Sequence, residues 1–241
     1  MGAIDLYARA TAGFDERLAE AVGLLHDAAA RHPGAVVQAS SLGAEDMVVT
    51  DLIATLGLPV AVATLDTGKL HDETLALLPA IAERYGITVE RHAPRAEAVV
   101  QFVGRHGERA MYQTLELRKA CCALRKLEPL ERLLAGRSAW ITGLRREQSG
   151  ARADVPFVDT DAQVRTKFNV LAAWSWADVW HYIATRGVPY NALHDQFFPS
   201  IGCAPCTRAI AVGEDFRAGR WWWEDTSKEC GLHVAEAAAQ P

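Results

Sequence analysis

AVVQASSLGAEDMVVTDLIATLGLPVAVATL, residues 35–65, is the stretch that decides the fold. Its ends, 35–39 and 59–65, are short unbroken apolar runs beside Gly and Pro, the pattern of parallel strands covered on both faces. Residues 44–56 between them read as a helix, so the stretch is a βαβ unit. The turn into that helix, Ser40-Ser41-Leu42-Gly43-Ala44-Glu45-Asp46, is rich in small residues. Such a turn exposes backbone N–H groups and a helix N-terminus to a phosphate, with serine hydroxyls as further donors. It equally suits an ordinary connection capped by Ser41. Neither the dinucleotide fingerprint nor the Walker loop is present. Glu45 and Asp46 suit the helix dipole and need no catalytic role.

Working outward, Phe14, Leu18, Val22 and Leu25 recur with helical spacing over 14–32, and Pro33-Gly34 stops that helix. Helices at 70–85 and 122–134 alternate with strands at 87–91 and 138–142, which predicts a layered α/β fold with a parallel sheet. Ser175-Trp176-Ala177-Asp178 resembles a capping box with Asp in place of Glu, opening a helix to about residue 185. After Pro189 the periodicity fades. The remaining residues, rich in Gly, Pro, Trp and Cys, need something other than secondary structure to order them. We expect one domain over 1–241, with about 214–241 as its C-terminal segment and 235–241 as a loose tail.

The net charge of −5 argues against a broad nucleic-acid surface, so any basic site must be local. No secretory signal and no apolar run of roughly 18 residues is present, which points to a soluble cytoplasmic protein without a membrane span. The five cysteines are odd in number, and in a reducing compartment they do not form a disulfide framework.

Cys121-Cys122 and Cys203-Ala204-Pro205-Cys206 form two pairs and leave Cys230 alone. The second pair, with Gly202 before it and Pro205 inside it, is shaped for a metal rather than for packing, and spacing does not choose between zinc and an iron–sulfur cluster. A vicinal pair is unusual for either, because adjacent side chains tend to diverge. Lys126 follows Cys122 by four residues, so on a helix the two share a face and an ammonium stands beside the metal site. In Arg217-Ala218-Gly219-Arg220-Trp221-Trp222-Trp223, two guanidiniums that fork onto phosphate or sulfate oxygens sit beside aromatic faces suited to stacking. The three tryptophans cannot all face one core. Cys230, beside Gly231 and near His233, is easily presented to two different partners, and His233 and nearby arginines can lower its pKa.

Four segments in this order, Cys121–Lys126 with Pro129-Leu130, Thr142–Ser149, Ile201–Arg208 and Glu229–His233, resemble the assimilatory adenylyl-sulfate reductases within the phosphoadenylyl-sulfate reductase family. The resemblance runs from about residue 39 to 233 and implies an adenine-nucleotide α-hydrolase-like, Rossmann-like fold with a mobile C-terminal tail. It implies a [4Fe–4S] cluster on Cys121, Cys122, Cys203 and Cys206, and Cys230 as nucleophile. It also implies substrate contacts from Ser40, Gly43, Leu65, Lys126, Gly143, Arg152, Arg217, Arg220, Trp221 and His233. Leu42 stands where Ser is frequent, so a hydroxyl contact is missing or comes from Ser41. Lys69 stands where Arg is common, which keeps the charge and loses the fork.

The activity so implied is reduction of adenosine 5′-phosphosulfate to sulfite and AMP through a Cys230 S-sulfonate, with a separate thioredoxin as reductant. The oligomeric state, a homo-oligomer included, is left open. The rival with a 3′-phosphorylated substrate is disfavoured, because reductases for that substrate usually lack the four cluster cysteines. A tRNA thiolase would need a Ser-Gly-Gly-x-Asp-Ser loop, which is absent. From a different class, a metal-stabilised nucleotide-binding regulator would leave Cys230 without a role.

Overall fold

The central strands of the sheet send alternate side chains to opposite helical layers, which is why the apolar runs of the sequence are unbroken. The computed structural model of the protein describes residues 2–224. In chain order the elements are α1 (Ala3–Tyr7), α2 (Phe14–Arg31), β1 (Val36–Ser40), α3 (Ala44–Thr55), β2 (Ala61–Leu65), α4 (Asp72–Leu75), α5 (Leu77–Tyr85), β3 (Glu90–His92) and α6 (Ala96–His106). Then come α7 (Leu115–Cys122), a π-helical turn (Ala123–Leu127), α8 (Glu128–Leu134), β4 (Ala139–Thr142), β5 (Val158–Thr160), β6 (Thr166–Asn169) and α9 (Trp176–Arg186). Val36, Val62 and Ile141 pack on one face with residues of α2, α3, α5 and α9. Their neighbours Val37, Ala63 and Trp140 pack on the other with Leu130, Leu133 and Leu134 of α8.

The sheet order is β3-β2-β1-β4-β6-β5, parallel throughout except for β5, which runs antiparallel to β6 at the edge. The chain moves outward from β1 to β3 and then returns to lay β4 on the other side of β1. The carboxyl ends of β1 and β4 therefore flank a topological switch point, where open parallel sheets form their ligand crevice.

The predicted α/β fold and its βαβ nucleus are present, with local differences. The helix expected over 70–85 is broken at Ala76, between α4 and α5. Pro79 has no N–H to give the Leu75 carbonyl, and its ring crowds that oxygen. The helix expected over 122–134 begins earlier, at Leu115, where Thr114 Oγ1 accepts from the Leu117 N–H at 3.2 Å. Its middle opens into the π turn. The capping box at α9 forms as expected, with Ser175 Oγ accepting from Asp178 N at 3.1 Å and Asp178 Oδ2 accepting from Ser175 N at 2.9 Å. Among the described residues after Pro189, regular structure is limited to single 3-10 turns such as Ala192–Gln196 and Ala204–Cys206 and an isolated antiparallel bridge between Thr207 and Arg220.

Candidate functional site

Across the switch point the first turn of α3 is tied to both flanking strands. The Asp46 carboxylate accepts from Ser41 N and Ser41 Oγ, each at 2.6 Å, through one oxygen, and from Gly143 N at 2.9 Å through the other. Burial pushes the Asp46 carboxyl up despite these donors, so the clasp is a dry one. Gly143 has to be glycine. A Cβ there would stand 2.7 Å from Asp46 Oδ1, 2.9 Å from Glu45 Cβ and 3.0 Å from the Glu45 carbonyl carbon. Leu42 adopts a left-handed φ of 60° and is wholly buried in the core. Its side chain takes no part in the cleft wall. Ser40 and Ser41 present the hydroxyls there, and Gly43 as N-cap supplies no side-chain cap to α3.

Glu45 carries a second chain of contacts. Its Oε1 accepts from Arg145 Nε at 3.0 Å and from Gln148 Nε2 at 2.9 Å, while Gln148 Oε1 accepts from Arg152 Nη1 at 2.6 Å. Burial raises the Glu45 carboxyl, but Arg145 and the hydrogen bonds outweigh it and hold it below the usual range. Arg145 is itself buried, with its guanidinium 5.2 Å from the Trp176 ring centre. The network fixes Arg152 at the mouth of the cleft. Sequence reasoning quoted Arg145 and Gln148 within a motif but gave neither a role, and it set Glu45 and Asp46 aside as helix-dipole residues.

On the other side, Cys121 and Cys122 end α7, and the C-x-x-C pair lies on the turn Ala204–Cys206 and the residue before it. All four cysteines stand outside any disulfide, are buried and pack in one cluster with Met111 and Trp221. The π turn that follows Cys122 widens the helix at this point, as such turns do at functional sites. Burial pushes the Cys121 thiol up, with Arg125 and Lys69 opposing, and pushes Cys206 to about 12, with Cys203 and Cys122 adding and Lys126 and Arg220 opposing. Four buried thiols surrounded by cations suit a group that takes thiolates and brings net negative charge. A four-iron cluster takes one thiolate per iron. The donor set thus fits such a cluster.

Trp221 joins the two halves. It is buried between two guanidiniums, with Arg118 Cζ at 4.5 Å and Arg220 Cζ at 4.7 Å from its ring centre. Arg118 forks onto Glu224 with two bonds of 2.9 Å. Arg220 lies so close against Gly202 that a Cβ fits there only if the guanidinium moves. Trp222 is exposed and Trp223 packs edge-on to Tyr112 at 4.5 Å, so the three tryptophans do part company.

One cleft gathers most of the candidates. Ser40, Gly43, Leu65, Lys126, Gly143, Arg152, Arg217, Arg220 and Trp221 all line it. His233 and Cys230 lie outside the described residues. Lys126 lines the cleft, and its ammonium opposes the upward shift of Cys206 in the C-x-x-C pair. Lys69 also acts on Cys121, and its carbonyl accepts from Ala204 N at 2.7 Å, joining the end of β2 to the C-x-x-C turn. The sequence reading missed Thr67, whose hydroxyl lies 3.2 Å from Cys203 Sγ, and His194, which lines the cleft. Neither carries a local signal, since each gains its position from partners distant in sequence.

Residues 35–209 match the family described as phosphoadenosine phosphosulfate reductase domain. The chain is 53% identical over 224 residues to adenosine 5′-phosphosulfate reductase of Allochromatium vinosum, covering 92% of this chain and 87% of that one. It is 51% identical over 205 residues to the protein of that name from Burkholderia cepacia, covering 84% and 82%. A phosphate complex of phosphoadenylyl-sulfate reductase from Candida auris superposes with a TM-score of 0.66 at 26% identity, over 82% of this chain and 98% of that one. The chain belongs to the phosphoadenosine phosphosulfate reductase domain family.

Proposed function

We propose that this chain reduces adenosine 5′-phosphosulfate to sulfite and AMP, as an assimilatory enzyme of the cytoplasm that draws its electrons from a thioredoxin. The observation that carries the reading is the convergence of Lys126, Arg152, Arg217 and Arg220 on one cleft that shares Trp221 and Arg220 with the four-cysteine cluster. A doubly charged phosphosulfate needs such a set of donors, and guanidiniums match its oxygens in pairs. The names carried by relatives at about half identity support the same substrate.

In this mechanism Ser40, the turn at Gly43 and the loop at Gly143 seat the nucleotide against the N-terminus of α3. The cations hold the phosphosulfate and offset the charge that grows on AMP as it leaves. The Cys230 thiolate attacks the sulfur of the sulfo group, the S–O bond to the phosphate breaks with its electron pair staying on AMP, and a Cys230 S-sulfonate remains. A thioredoxin thiolate then attacks Cys230 Sγ, sulfite leaves, and the second thioredoxin thiol resolves the mixed disulfide, so the dithiol supplies both electrons. Cys121, Cys122, Cys203 and Cys206 would hold a [4Fe–4S] cluster, which when bound supplies structural ties and local charge beside the cleft. Anaerobically purified protein should contain close to four irons per chain, and Cys203→Ser should abolish that; stoichiometric zinc without iron would remove the cluster from the proposal.

The deciding experiment is peptide mass spectrometry after adding substrate without thioredoxin. One SO₃ on the peptide containing Cys230, discharged as sulfite by reduced thioredoxin, is the expected result; an adduct elsewhere overturns the mechanism. The likeness to a phosphoadenylyl-sulfate reductase supports a second reading, with the 3′-phosphorylated nucleotide as substrate. Comparing kcat/KM for the two nucleotides separates them, and the unphosphorylated one is expected to be higher.

A further inference from the structure

Arg152 reaches the cleft from a single 3-10 turn, Gly150–Arg152, in the loop between β4 and β5. Outside any strand or longer helix, its long side chain needs lateral support to keep one direction. Gln148 gives such support, with Oε1 accepting from Arg152 Nη1 at 2.6 Å. The same oxygen accepts from Arg145 N at 3.2 Å, and Nε2 donates to Glu45 Oε1 at 2.9 Å. The Glu45 side needs a donor and the Arg152 side an acceptor, so the amide stands only one way round.

A carboxylate is the usual partner of a guanidinium. Here Glu45 is kept one side chain away: it takes Arg145 Nε at 3.0 Å, and Gln148 stands between it and Arg152. An amide steadies the guanidinium without adding negative charge of its own beside an anion in the cleft. Its bond to a carboxylate also polarises it and strengthens Oε1 as an acceptor. Glu45 lies in the first turn of α3, just after the turn Ser40–Gly43 that seats the nucleotide in the mechanism above. The contacts Glu45–Gln148–Arg152 therefore tie that seat to a cation of the cleft. A simpler role competes, since the bond from Arg145 N closes a cap on the turn Arg146–Gln148. A cap uses neither Arg152 nor Glu45, and its loss damages folding rather than recognition of charge.

We propose that Gln148 is a positioning residue for anion binding, which presets Arg152 toward the phosphosulfate through a neutral amide anchored on Glu45. The inference rests on the reading of the cleft as an adenosine-phosphosulfate site. Presetting spares the loss of side-chain freedom at the moment of binding, so its absence shows as weaker affinity for the charged ligand alone.

Calorimetric titration of the whole protein with adenosine and with ADP, whose second phosphate stands in for the sulfo group, tests this. Gln148→Met removes both side-chain hydrogen bonds at similar length; it is expected to weaken ADP about five- to tenfold, the worth of one hydrogen bond, and to leave adenosine unchanged. In an Arg152→Ala background the same change should cost less than about twofold, because a residue that acts through Arg152 has nothing left to hold. Should Gln148→Met not fold, as urea unfolding would show, Gln148→Asn takes its place in the cycle with the same expectations, since it keeps the amide but draws it back by one methylene. An equal loss with and without Arg152, an equal loss for ADP and adenosine, or no loss for ADP overturns the inference and leaves the functional reading in place. Binding of neither ligand by the unmodified protein overturns both.

Discussion

Two glycines show how single residues shape this site, because each is required by what presses against it. At Gly143 the obstacle is partly backbone, so Gly143→Ala must push α3 away from β4; we expect a loss of about 1–3 kcal/mol in a urea titration, together with weaker AMP binding. At Gly202 the obstacle is the Arg220 guanidinium, a movable group. Gly202→Ala should displace Arg220 from the cleft, raising KM for the nucleotide at least several-fold with iron content unchanged, as steady-state kinetics and iron analysis would check. Both glycines stand inside motifs that were legible in the sequence, yet the need for glycine was not. It arises from Asp46 and from Arg220, which only the folded chain brings into contact with them.

Among the elements, α9 is the one whose start was read in full from local chemistry. Ser175 and Asp178 cap it reciprocally, and Ser175→Ala should cost about 1 kcal/mol, measured by thermal or urea unfolding. Asp178 does more than cap, since Thr11 Oγ1 donates to it at 2.7 Å and Arg17 pairs with it at 3.1 Å. Burial raises its carboxyl, but the donors from Thr11, Ser175 and Arg17 outweigh that and hold it below the usual range. A carboxyl depressed in the folded state stabilises above the unfolded value of about 3.9 and loses that stabilisation as pH falls through the folded value. Stability should therefore drop on acidification below about pH 4, and Asp178→Asn should be less stable at neutral pH but flatter over that range. The edge pair β5–β6 was not foreseen, for a physical reason: β5 is wholly exposed, and β6 buries Lys167 over the Trp140 ring at 5.1 Å and pairs Asn169 with Thr142 at 2.8 Å. Polar residues buried against partners across the sheet leave no apolar period to read.

At the scale of the whole molecule, the buried pair Arg118–Glu224 roots the segment that leads to Cys230. Cys230 follows Glu224 by six positions in the sequence. Glu224→Gln leaves the Arg118 charge buried without its carboxylate and should cost about 3–5 kcal/mol in a urea titration. Asp27→Asn, which breaks the exposed Arg31–Asp27 pair, should cost less than about 0.5 kcal/mol and serves as the control. The layered α/β fold, the βαβ nucleus, the two cysteine pairs and the cation-rich approach to the cleft were determined by the sequence itself, because each is a matter of local period, spacing or residue type. Convergence of the end of α7, the C-x-x-C turn, the Arg220–Trp221 loop and the β1–β4 switch point on one cleft was decided only by the tertiary structure. So were the dry clasp of Asp46 and the contacts from Glu45 through Gln148 to Arg152. Their cause is the reversal of strand order at β1, which brings residues about a hundred positions apart to within a hydrogen bond, a closeness no local pattern encodes.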